Sequence, residues 1–303
     1  MGIFDKLSKT AKDKFGEIEN TENFSQSAQI KAVDIIKELS GSATEQTKKI
    51  PDNVIVFTST SGAGASTLAA NVAYAASNDP KLKLRVVLID LNIMFPAQNI
   101  YFETKQELDL PDLVTYLLGK STLGDSIVNK GNISLMFADN KEIMDSINCE
   151  SDIAIDNFTD MINKLRSLYD LVIIDCPMKI DHTLCNTAFY LCDQIYLVWD
   201  EGLSSIANAE KIRRNMAVTG IDSYTKMHII LNKRTNVKYT DFPFKKLNVN
   251  LAGILPFDPA IIDSSLKSQI FIEKGASKSE NANVFASKIY ELANTIVRNG
   301  GLV

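Results

Sequence analysis

The chain has 303 residues, of which 45% are hydrophobic and 23% charged. A composition this close to the globular average excludes a mostly disordered chain, a fibrous repeat and a small disulfide scaffold. The net charge of −5 argues against a surface that binds nucleic acid over its whole extent, though it permits a local basic patch.

Residues 1–50 and 51–303 read as two parts, a helical extension with a linker and a larger folded domain. From the turn Ile3-Phe4-Asp5-Lys6-Leu7 onward, Ala11, Phe15 and Ile18 follow at spacings of three and four, which predicts a helix with one apolar stripe. Lys6, Lys9, Lys12 and Lys14 lie beside or opposite that stripe. Three uses fit such a helix: contact with an anionic membrane surface through residues 1–20, docking on a partner helix, or folding back on the core. Gly2 does not complete a myristoylation motif, because Lys6 stands where that motif takes Ser or Thr. A second helix is predicted over 28–39, and Ser40-Gly41-Ser42-Ala43-Thr44 reads as a linker.

From Asn53 the pattern alternates. Short, β-branched apolar runs predict strands over 54–58, 85–90, 133–138, 171–175, 194–198, 228–231 and 252–255. Helical windows lie between and after them, over 66–77, 110–118, 153–168, 182–191, 204–218, 260–268 and 283–298. Such alternation implies an α/β fold with a doubly wound, mostly parallel sheet, whose ligands sit at the carboxyl ends of the strands. The sequence has no apolar run of the roughly 18 residues a membrane-spanning helix needs and no signal-peptide core. Its four cysteines form no Cys-x-x-Cys pair and have only two histidines beside them, so they are expected to be reduced core thiols of a cytoplasmic protein.

The motif search therefore concentrates on strand ends. The first strand runs into Thr58-Ser59-Thr60-Ser61-Gly62-Ala63-Gly64-Ala65-Ser66-Thr67-Leu68-Ala69-Ala70-Asn71. Glycines between a strand and a helix let backbone N–H groups turn inward around phosphate oxygens, and the helix N-terminus adds a favourable dipole. The Ser66 hydroxyl is placed to meet Mg²⁺, as the Ser/Thr that closes a phosphate loop does. A tight strand-to-helix turn needs glycine in any case, so position and context carry the reading.

This run resembles the deviant Walker A loop of the ParA/MinD partition and positioning ATPases, K-G-G-x-G-K-S/T-T-x-A-x-N, at Gly62, Gly64, Ser66, Thr67, Ala69 and Asn71. It departs at two places. Thr60 stands where the family's signature lysine belongs, and Ala65 where the phosphate-holding lysine belongs. Loss of that second cation should depress phosphoryl transfer. Loss of the first puts in doubt the family's dimer sandwich, in which that lysine reaches the partner's nucleotide.

Val86-Val87-Leu88-Ile89-Asp90-Leu91-Asn92 resembles the family's switch strand, with Asn92 replacing a second acid. The run from Tyr169 to Pro177 resembles a Walker B strand ending at Asp175. Ile230-Leu231-Asn232-Lys233-Arg234 and Leu255-Pro256-Phe257-Asp258-Pro259-Ala260 resemble the elements that read and wall the adenine, with the Asn232 amide on the base edge. The resemblance thus implies a site for ATP or ADP with Mg²⁺. Nucleotide contacts would come from Ser61, Gly62, Ala63, Gly64, Ala65, Ser66, Thr67, Asn232, Pro256 and Asp258, and metal contacts from Ser66, Asp90 and Asp175.

The loop spelling is most similar to the CpaE/TadZ branch, which localises the assembly machinery of tight-adherence type IV pili. That implies a homodimeric, weakly hydrolytic or non-hydrolytic scaffold, with a protein partner in a membrane-associated assembly, peripheral to the inner face of the membrane. The alternative is an active DNA- or cargo-partitioning ATPase, which needs a basic face. Arg213-Arg214, Lys233-Arg234, Lys238 and Lys245-Lys246 could build one, but they read equally as solvated surface, and the acidic total makes DNA the less expected partner. A third alternative, a metabolic synthetase or iron–sulfur reductase relative, lacks an obvious cysteine cluster site and the loop lysine.

Overall fold

In a computed structural model, the chain is described at residues 52–59, 62–104, 111–138, 147–179, 182–235, 250–275 and 277–302, with backbone alone at 203–207, 209 and 210. The helical extension predicted over residues 1–50, with its membrane- or partner-facing stripe, lies outside these, as do Thr60, Ser61, Lys238, Lys245 and Lys246.

Strand β1 (Val54–Ser59) is apolar from Val54 to Phe57 and buried along nearly its whole length, because both its faces are covered. Val54 and Val56 point into one core layer, Ile55 and Phe57 into the other. The remaining strands are β2 (Val86–Asp90), β3 (Val128–Lys130), β4 (Ile133–Met136), β5 (Leu171–Asp175), β6 (Gln194–Trp199), β7 (Met227–Arg234) and β8 (Asn250–Pro256). They form one sheet in the order β3-β4-β2-β5-β1-β6-β7-β8. Every pairing is parallel except that of β3 with β4.

Helices cover both faces. On one side lie α1 (Ala65–Asn78) and, last in the chain, the long helix Glu280–Asn299. The first is rich in alanine, so its backbone approaches the sheet closely. The second buries Ala282, Phe285, Ile289, Leu292 and Ile296, a helical periodicity that makes one apolar stripe. The other side is covered by three helices, Leu113–Leu117, Asp152–Leu168 and Thr183–Leu191, together with Ile212 and Met216 of Leu203–Val218. In chain order the short Gln98–Tyr101 is α2, and the next four are α3 to α6. Then come α7 (Ser223–Lys226), α8 (Pro259–Leu266), a 3-10 turn at Phe271–Lys274, and Glu280–Asn299 as α9. No helix among the described residues is long and apolar enough to cross a membrane.

The doubly wound sheet is the architecture expected from the sequence, and all seven anticipated strands are present. The addition is β3, three residues long at the sheet edge and only partly buried. Nothing in Val128-Asn129-Lys130 forms an apolar run that would announce it. The four cysteines are buried and none is in a disulfide. Burial pushes the thiols of Cys176 and Cys192 up, the latter to about 12, which leaves them unreactive core groups. The chain winds outward in both directions from β1, which lies between β5 and β6. The crevice at its carboxyl end is where such sheets take ligands.

Candidate functional site

The turn from β1 into α1 is built on two glycines in the left-handed region, Gly62 at φ 55° and Gly64 at φ 99°. Gly64 is the residue before the first turn of α1, and no side chain among the described residues caps that helix. Its leading N–H groups therefore keep their hydrogen-bonding capacity and partial positive charge, the arrangement that favours an anion. The position also requires glycine for space, since a Cβ there would stand 2.7 Å from Asn232 Nδ2.

Strand β7 ties this turn down. Asn232 Nδ2 donates to the carbonyl of Ala63 at 2.8 Å, and Lys233 Nζ donates to that of Gly62 at 2.5 Å. With those carbonyls drawn toward β7, the loop's outward-facing atoms are more purely donors. Beside it is a cavity of about 210 Å³, lined by Gly62, Gly64, Thr67, Asn232, Pro256 and Asp258 among others. Tyr101 closes one side of it, its hydroxyl 2.8 Å from that of Thr67.

An acidic cluster lies behind the loop. Asp90 and Asp175 end the neighbouring strands β2 and β5 in matching register, and both are buried. Asp90 Oδ1 accepts from the Asn92 N–H at 2.9 Å, and its Oδ2 accepts from those of Ala97 at 2.7 Å and Gln98 at 3.0 Å. It thereby pins the segment that leads into α2. The Gln98 side chain is fully buried; its Nε2 donates to Asp175 Oδ2 at 2.7 Å and to the Ser66 carbonyl at 3.1 Å, while its Oε1 has no partner. The Ser66 side chain also lies on the Asp175 side of the loop and favours its charged form. Burial, with the Asp175 charge adding to it, pushes the Asp90 carboxyl up to about 7. Burial raises Asp175 to about 6, opposed by the hydrogen bond from Gln98 and by the Ser66 side chain.

Two buried carboxylates beside a serine hydroxyl fit Mg²⁺, a cation that is commonly held by one or two carboxylates together with phosphate oxygens. No cluster of three or more His, Cys, Asp or Glu side chains suited to a metal occurs among the described residues, which leaves no competing all-protein cage.

The expected residues thus fall in two adjoining groups. Gly62, Gly64, Thr67, Asn232, Pro256 and Asp258 line the cavity, with Ala63 and Ala65 buried at the loop. Ser66, Asp90 and Asp175 meet behind it, and Ser61 is outside the described residues. Asp258 does more than wall the cavity. Its Oδ1 accepts from Ala260 N–H at 2.8 Å and caps α8, while its Oδ2 accepts from the Ser279 hydroxyl at the start of α9. Gln98 and Tyr101 were not anticipated as site residues, while Lys233, expected at the end of the adenine-reading strand and as a candidate for a basic face, is directed at the loop. Of the candidate basic residues, Arg213 is buried with its guanidinium 4.5 Å from the Tyr224 ring centre, and Arg234 pairs with Glu201 at 2.9 Å. These two are committed within the fold rather than displayed as a basic stripe.

The glycine turn, the strand order and the acidic strand ends define a P-loop type of nucleotide fold. No protein-family model matches the chain. It is 23% identical over 227 residues to the septum site-determining protein MinD of Synechocystis sp., covering 71% of this chain and 80% of that one. The ParA family ATPase from Chlorobium tepidum TLS superposes with a TM-score of 0.66 at 23% identity, over 80% of this chain and 99% of that one. MinD from Pyrococcus horikoshii OT3, complexed with Mg-ADP, superposes with a TM-score of 0.64 at 19% identity, over 82% and 96%. The fold is that of the ParA and MinD ATPases.

Proposed function

We propose that the chain is a ParA/MinD-like nucleotide-binding protein that holds ATP or ADP with Mg²⁺ and hydrolyses ATP weakly or not at all. The observation that carries this reading is the uncapped N-terminus of α1, shaped by Gly62 and Gly64, opening beside the Asn232–Pro256–Asp258 cavity while Ala65 brings no ammonium. Backbone N–H groups at the start of α1 bind the phosphates, and the cavity takes the base. Ser66, Asp90 and Asp175 hold the cation, and Asp90 also fixes the segment that carries Gln98 onto Asp175. Mg²⁺ bound there supplies charge neutralisation for the phosphates. Without a loop lysine, little stabilises the charge that develops during phosphoryl transfer.

A protein that binds nucleotide and turns it over feebly acts through the shape it holds. In this reading residues 51–303 are the nucleotide domain and residues 1–50 an extension, which contacts a membrane surface or a partner through residues 1–20. The chain dimerises and positions a membrane-linked assembly such as a tight-adherence type IV pilus. Phe95 before α2, Ile100 on α2 and Leu266 on α8 are large exposed apolar side chains, surface of the kind that supports a protein contact. The test is calorimetric titration of ADP and ATP with Mg²⁺, run alongside an ATP turnover assay. Binding with turnover no faster than that of Asp175→Ala is the expected result. Robust turnover dependent on Asp175 would overturn the scaffold reading, and absence of binding at millimolar nucleotide would overturn the site itself.

A further inference from the structure

We propose that Lys233 supplies, from the end of β7, the phosphate-facing ammonium that the loop itself lacks. The proposal rests on the nucleotide reading above and deepens it by assigning a second source of charge to the same site.

Three features place Lys233 there. Its Nζ donates to the Gly62 carbonyl at 2.5 Å. Its Cε lies 3.9 Å from the position a Cβ would take on Gly64, the residue that opens α1. Its side chain lines the same cavity as Gly62, Gly64 and Thr67. The lysine stem therefore runs along the glycine turn, and the charge ends on the Gly62 carbonyl, two residues before Gly64 opens α1.

The backbone is shaped to aim it. The pairing of β7 with β8 shifts register between Leu231 and Arg234, so Asn232 and Lys233 sit in an irregularity of the strand. Bulges of this kind re-aim side chains. Lys233 also adopts φ 55°, a left-handed conformation that residues other than glycine seldom take, and such departures concentrate at functional sites. A regular strand would alternate Asn232 and Lys233 between the two sheet faces. Here both reach the loop.

The chemistry suits a phosphate. An ammonium has three N–H donors and no acceptor. Gly62 takes one, and no carboxylate pairs with Lys233 among the described ion pairs. Two donors remain for an anion held at the start of α1. The competing explanation is that Lys233 only staples the loop to β7, which would support base and phosphate binding alike.

Adenosine and ADP separate the two. Each is titrated with Mg²⁺ into the full-length protein, Lys233→Gln and Lys233→Arg. Loss of one charge-assisted contact should weaken ADP by about tenfold in Lys233→Gln. Adenosine, whose base shares the cavity that Lys233 lines, should weaken much less than ADP in that variant, and Lys233→Arg should recover most of the ADP affinity. Equal weakening of adenosine and ADP, or unchanged ADP affinity, would overturn the proposal while the nucleotide site stands. Wild-type protein that binds neither ligand would remove the site and the proposal together. Should Lys233→Gln fail to fold, the Nζ resonance of Lys233 in the wild type decides: much larger movement with ADP than with adenosine is expected, and equal response to both refutes the assignment.

Discussion

Asp90 and Asp175 stand side by side at the carboxyl ends of β2 and β5, both closed off from water, and the amide of Gln98 lies on Asp175. Burial raises both carboxyls, Asp90 to about 7 and Asp175 to about 6, so the folded state favours their neutral forms. In the unfolded chain both ionise near the ordinary carboxylate value. Between that value and about 7 the folded protein binds more protons, so stability falls as pH rises through this window. Urea melts of the nucleotide-free protein should therefore give a higher midpoint at pH 5 than at pH 8. Asp90→Asn should flatten the difference, and an unchanged slope in that variant would assign the effect elsewhere.

Gln98→Met removes the donor that Asp175 Oδ2 accepts, leaving that carboxylate less compensated in a buried site. The expected cost is about 1–3 kcal/mol at pH 8, where Asp175 is ionised, and less at pH 5. Chemical denaturation at the two pH values measures it. A loss that is the same at both would mean that Gln98 contributes by packing alone.

Gly64 and Gly62 should respond differently to alanine. At Gly64 the added Cβ meets Asn232 Nδ2 at 2.7 Å on a backbone at φ 99°, whereas at Gly62 nothing lies within 4 Å. Gly62→Ala should cost about 1 kcal/mol, from backbone strain alone. Gly64→Ala should cost on the order of 1–3 kcal/mol from strain, displace Asn232 as well, and abolish ADP binding. Thermal melts with and without ADP distinguish the two.

Asp258→Ala should remove the cap of α8 and the bond from Ser279 together, with a loss of about 1–2 kcal/mol in denaturant unfolding. Asp258→Asn, which can still accept from Ala260 N–H, should lose less. If the two variants are equally destabilised, the contact with Ser279 carries most of the effect.

The fold was legible because buried parallel strands announce themselves. Val54 to Phe57, Val86 to Ile89 and Leu171 to Ile174 are continuous apolar runs that only a strand covered on both faces uses. The edge strand β3 gave no such signal, being short and half in water. In the site, Gly62, Gly64, Ser66, Asp90 and Asp175 could be found because loop and strand-end chemistry is local to the chain. Gln98 could not. It sits in a stretch without periodicity, and its role depends on Asp90 turning that stretch inward through two backbone N–H groups. Lys233 could be placed beside Asn232 at a strand end, but its contact with the loop could not be read, because the carbonyl it reaches is 171 residues away in sequence.

With Asn232 and Lys233 holding the carbonyls of Ala63 and Gly62, the 62–65 stretch takes its shape when the sheet assembles. Ordering a residue's backbone costs roughly 1–2 kcal/mol in conformational entropy. Here that loss falls on folding and not on the encounter with a ligand. An anion arriving at α1 meets N–H groups already in place, so the weaker attraction of a loop without its own lysine is offset by preorganisation.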